Sequence, residues 1–201
     1  MNTGTQRRGF TLTELLVTIG IIALLASIIL PAMVGAMRAA DKGKARTEMA
    51  AIVNAVKAFY GEYGQMPTDG NGADDATYMD RTPTAGQKQQ DLVIRILRGL
   101  DTVNNPRRQV FLDVPPDSLK GTDKDGQIYA EADGYFLDPW GNPYVICMDT
   151  DFDNQIEFRG VASPPAPSSL NKRPVGVTVG VLSYGHDPSN TNSFLASWTS
   201  P

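Results

Sequence analysis

Arg7-Arg8-Gly9-Phe10-Thr11-Leu12-Thr13-Glu14, followed by the run LLVTIGIIALLASIILPAMVGAM from Leu15 to Met37, decides the fold. The run contains no charged residue, and at 1.5 Å per residue it makes a helix of roughly 35 Å, enough to cross a bilayer core. One acid, Glu14, sits at its leading edge. An ionisable group costs up to ~3 kcal/mol at the bilayer centre and less near an interface, so Glu14 calls for a partner. Positive charge stays on the cytoplasmic side; Arg7 and Arg8 therefore place the amino end inside and everything after Arg38 outside the cytoplasm.

Gly9-Phe10-Thr11-Leu12-Thr13-Glu14-Leu15-Leu16-Val17 resembles the processing site of type IV prepilins and type II secretion pseudopilins. The resemblance implies that a prepilin peptidase cuts between Gly9 and Phe10 and N-methylates Phe10. Such a cut creates an ammonium at Phe10, with Glu14 about one helical turn away, in reach of that amine or of a neighbouring subunit's. Other readings are a snorkelling acid in an uncut signal anchor, and a twin-arginine export signal. Arg7-Arg8-Gly9-Phe10 resembles the head of the latter, with Val34-Gly35-Ala36 as a small-residue cleavage site. The length of the run and the acid inside its head oppose that signal, and no cysteine in this region supports a lipoprotein.

Of 201 residues, those after the leader and membrane segment suffice for one globular domain with a modest core. The chain has 18 basic and 22 acidic residues; losing Arg7 and Arg8 leaves 16 against 22, an acidic balance that argues against nucleic-acid binding. Cys147 is the single cysteine, so no intramolecular disulfide forms and stability must come from packing or a bound ion.

In order, Met1–Gly9 (1–9) reads as a leader, 10–37 as the transmembrane half of one long helix, 38–64 as its amphipathic half and 65–201 as a globular head. Pro31 deprives the helix of one hydrogen bond, which predicts a kink or local melting there. Met49, Val53, Val56, Phe59, Tyr60 and Tyr63 form the apolar stripe of the second half, with Lys44, Glu48 and Glu62 among its polar residues. Gly64 is the expected C-cap and Pro67 prevents re-entry into helix. Thr68 to Gln87 reads as a surface loop and Gln89 to Leu100 as a short amphipathic helix ended by Gly99. Ile128-Tyr129, Tyr135 to Leu137, Tyr144 to Met148 and Val175 to Tyr184 read as strands, the last closing the core.

Leu137-Asp138-Pro139-Trp140-Gly141-Asn142-Pro143-Tyr144 is a Pro- and Gly-rich turn between aromatics that docks against the sheet edge. It is close to a phrase of major pseudopilins, an independent second match to the same family. Asp149, Asp151 and Asp153 have the spacing of the first half of an EF-hand loop. Asn154 replaces the turn glycine and Gly160 stands where the bidentate acid belongs, so the segment reads as an acidic β-turn.

Ser183-Tyr184-Gly185-His186-Asp187 resembles the calcium-binding loop of major pseudopilins, which implies Ser183 and Asp187 as ligands together with loop carbonyls. The second acid is replaced around Phe194 and the glycine-rich run by Pro188-Ser189-Asn190; calcium is therefore a secondary expectation and no cofactor is required. His186, the sole histidine, lies between candidate triad partners in one loop, which does not make a triad, so no enzyme is expected.

The fold expected is α+β and pilin-like, with a long N-terminal helix on a small antiparallel sheet. By resemblance, the chain is a structural subunit of a type II secretion pseudopilus. Its partners are prepilin peptidase, sister pseudopilins, and the inner-membrane assembly platform with its ATPase, and its globular part is periplasmic. A type IV pilus subunit and an uncleaved membrane-tethered binding module are the alternatives.

Overall fold

The computed structural model describes residues 10–68, 76–79, 87–120, 134–156 and 176–198. The expected leader with Gly9, the strand expected at Ile128-Tyr129 and the connection expected from Ser163 to Pro174 lie outside them. The chain divides into two units, residues 1–40 and 41–201.

Helix α1 spans Leu12–Tyr63. In the first unit every large apolar side chain from Phe10 to Met37 is at least half exposed. By length and composition this helix can cross a membrane. The helix continues through Pro31, which has no N–H to give the Ser27 carbonyl one turn back. Thr18 and Ser27 turn their hydroxyls onto the Leu15 and Leu24 carbonyls, which satisfies both within their own helix.

In the second unit, Ala45, Met49, Ile52, Ala55, Val56 and Phe59 of α1 are buried at helical spacing. Gly64, at φ 68°, closes the helix by donating to the Tyr60 carbonyl at 2.8 Å. Next come β1 (Ala76–Met79), β2 (Gln87–Gln89), α2 (Gln90–Leu97), β3 (Leu119–Lys120), β4 (Tyr135–Phe136), β5 (Val145–Met148), β6 (Val179–Ser183) and β7 (Leu195–Ala196). The main sheet has the order β2-β1-β5-β6-β7, antiparallel throughout except for the β1–β2 pair, while β3 and β4 form a separate antiparallel pair. Alternation divides the sheet's side chains. Tyr78, Ile146, Met148, Val179 and Val181 join α1 and α2 in the main core, whereas Val145 and Leu182 meet Tyr184, Phe194 and Trp198 in a second cluster.

Three expectations change. The loop expected from Thr68 to Gln87 contains β1, paired with β5 and carrying the fully buried Tyr78; a polar, glycine-rich surround hid a strand of only four residues. The strand expected to close the core, β6, is followed by β7, which pairs Leu195 with Ser183 and Ala196 with Leu182. Glu48 is not a solvated residue of the polar face but is 9% exposed.

Candidate functional site

The head of α1 is a reciprocal cap. The Thr11 amide and hydroxyl donate to Glu14 Oε2 at 2.9 and 2.7 Å, and the Glu14 amide donates back to Thr11 Oγ1 at 3.2 Å. This is the Thr-x-x-Glu capping box, legible in the sequence as Thr11-Leu12-Thr13-Glu14 but not recognised there. Glu14 thus has a local partner before any second chain is considered, and it stands at the edge of the continuous apolar surface formed by residues 15–37. A contiguous exposed apolar surface of this extent marks a membrane or protein interaction site.

The turn from Asp138 to Tyr144 is built on one carboxylate. Asp138 Oδ1 accepts from the Trp140 and Asn142 amides at 3.0 and 2.8 Å, and its Oδ2 accepts from the Ser183 hydroxyl at 2.6 Å. Burial pushes the Asp138 carboxyl up, against the downward pull of those hydrogen bonds. Gly141, at φ 89°, lets the turn close, and its amide donates to the Asp138 carbonyl at 2.9 Å. At the far end the Tyr144 phenol donates to Glu48 Oε2 of α1 at 2.6 Å. Burial, with the Glu48 carboxylate adding to it, pushes that phenol far above its usual range. Asn142 Nδ2 donates to the Gly185 carbonyl at 3.1 Å. The turn therefore ties α1, the β4–β5 connection and the loop after β6 together. Gln90 adds a buried clamp, donating from Nε2 to the Phe136 and Tyr144 carbonyls and accepting from the Phe136 amide.

Each of the two expected calcium ligands has another partner. Ser183 is fully buried with its hydroxyl on Asp138, and Asp187 Oδ1 accepts from the Ser189 amide at 3.0 Å. Three loop carbonyls, of Tyr184, Asp187 and Asn190, instead converge on the Ser193 hydroxyl at 2.7, 2.5 and 2.7 Å. Calcium takes six to eight oxygens, with carboxylates supplying most of the charge. Between Ser183 and Trp198 the sequence offers one acid, and the point where the carbonyls meet is filled by a side chain, so this loop does not fit the ion. Ser193, Glu48 and Thr11 are the residues the sequence reading missed; for Glu48 the signal was an acid one position before the core residue Met49.

Residues 4–30 match the family model described as the prokaryotic N-terminal methylation motif. The chain is 39% identical over 67 residues to the type II secretion system core protein G of Escherichia coli (strain K12), covering 33% of this chain and 46% of that protein. It is 35% identical over 69 residues to the protein of that name from Aeromonas hydrophila, covering 34% and 48%. Against the core protein G of Dickeya chrysanthemi it is 31% identical over 129 residues, covering 60% of this chain and 84% of that protein. The chain thus spans about half the length of the first two curated relatives and most of the third. No solved structure matches. An N-terminal methylation motif heading an exposed apolar helix, an α+β body and a relative covered over most of its length agree: the chain belongs to the type II secretion system core protein G family.

Proposed function

We propose that this protein is a structural, non-enzymatic subunit of a type II secretion pseudopilus. A prepilin peptidase cuts between Gly9 and Phe10 and methylates the Phe10 amine. The protein waits in the inner membrane with its globular part in the periplasm, and an assembly platform with its ATPase draws it into a filament with sister pseudopilins.

The observation that carries this reading is the head of α1: one carboxylate, Glu14, at the edge of an apolar surface exposed from Leu15 to Met37. Helices that pack through such surfaces in lipid gain little from the hydrophobic effect, so a polar contact decides register. The new ammonium at Phe10 supplies that contact by competing with Thr11 for Glu14, either within one chain or between neighbours. Pro31 is the weak point at which the helix can bend or stretch on assembly.

The test is to express Glu14→Val with the remaining machinery, crosslink cells and shear filaments. The expected result is normal processing and membrane insertion with loss of filaments and of secretion. Filaments at wild-type yield would contradict the role of Glu14, and loss of motility with secretion intact would favour a type IV pilus.

A further inference from the structure

Directly after β5, Asp149, Asp151 and Asp153 each place a carboxylate oxygen within 4.8 Å of the other two. Among the described residues, no basic side chain pairs with any of them. Like charges this close repel unless something positive lies between them. Hydrogen bonds inside the segment engage only part of the set. Asp151 Oδ1 accepts from the Asp153 amide at 3.2 Å, and Asp153 Oδ1 accepts from the Gln155 amide at 2.8 Å.

The decisive group is Asp149. It is 2% exposed, and while its Oδ2 accepts from the Asn154 amide at 3.0 Å, its Oδ1 is buried without a hydrogen-bond donor. A buried carboxylate oxygen in that state needs a proton or a cation. We propose that Asp149, Asp151 and Asp153 form a divalent-cation site of calcium type. Three carboxylates make a hard, all-oxygen donor set, which suits calcium's flexible geometry better than magnesium, an ion that keeps most of its waters, or zinc, which favours nitrogen and sulfur.

The loop does not oppose this. Asn154 replaces a turn glycine in the sequence but adopts φ 66°, the left-handed conformation that glycine would provide and that asparagine tolerates. A cation there would fix the segment that sets the Phe152 ring against Tyr60 of α1, with ring centroids 6.1 Å apart.

The test uses the full-length protein in detergent, titrated calorimetrically with calcium chloride and melted with calcium or with EGTA. Asp151 and Asp153 are exposed, so Asp151→Asn combined with Asp153→Asn should fold normally by circular dichroism. The expected result is one site in the wild type, a higher Tm with calcium, and at least tenfold weaker binding in the double variant with no calcium-dependent rise. Asp187→Asn separates this site from the loop after β6 and should leave binding unchanged. No binding heat and no shift in the wild type would overturn the proposal; so would a shift that survives the double variant, or one that disappears in Asp187→Asn.

Discussion

Tyr144→Phe isolates the contact by which the Asp138 turn holds α1. The substitution keeps the ring, which is fully buried and meets Phe136 edge-on with centroids 5.2 Å apart, so no cavity forms. What goes is a 2.6 Å hydrogen bond to the nearly buried Glu48 carboxylate. Among the described residues, the remaining ionic neighbour of Glu48 is Lys44 at 3.8 Å, with a side chain more than half exposed and therefore well screened. Removing one partner of a hydrogen bond to a charged group costs about 1.5–3 kcal/mol, because the other is left desolvated and unmade. For a unit the size of residues 41–201, each kcal/mol moves Tm by about 2–4 °C, so a loss near 2 kcal/mol means a fall of about 4–8 °C. Glu48→Leu with Tyr144→Phe removes both polar groups and should recover much of the loss, giving a coupling of about 1–3 kcal/mol in a double-mutant cycle read by urea unfolding. A single variant within about 0.5 kcal/mol of wild type, or strict additivity of the two, would refute the claim that this bond anchors the turn to the helix.

Gly185→Ala should be far more damaging than Gly141→Ala. Both glycines have positive φ, but a Cβ on Gly185 would lie 2.1 Å from the Ser193 carbonyl oxygen, while one on Gly141 meets nothing within 4 Å. Chemical denaturation should show a loss of about 1 kcal/mol at Gly141 and substantially more at Gly185, and equal losses would contradict the loop packing. Asp138 gives a pH signature. Burial raises its carboxyl above the unfolded value of about 3.9, so the native state binds the proton more tightly, and its contribution is complete below that value and lost as pH rises through the raised one. Asp138→Asn imitates the protonated acid; between pH 4 and 8 the wild type should lose Tm relative to the variant, and a relative gain would contradict the shift.

Periodicity and turn chemistry made the elements with long or repeated signals readable. The apolar run to Met37, the stripe through Phe59 and the Gly64 cap give α1 its bounds, and Leu92 to Leu97 gives α2. Strand β1 was hidden because four residues, Ala76-Thr77-Tyr78-Met79, are too few to show alternation, and the segments on either side are polar and glycine-rich. The pairing of the Asp138 turn with Ser183 could not be read, since the two are 45 positions apart and a short hydroxyl–carboxylate bond leaves no local pattern. That same bond commits the Ser183 proton to Asp138. Asp149 shows the converse: its spacing to Asp151 and Asp153 was plain in the sequence, but only the fold reveals that it is buried with one oxygen unserved.

The most direct test of the pseudopilus account is the amino terminus of the protein recovered from membranes, by intact mass and terminal peptide mapping. The account predicts a chain that begins with N-methylated Phe10. A chain that retains residues 1–9 in cells with an active prepilin peptidase, or one that begins near Met37, would contradict it.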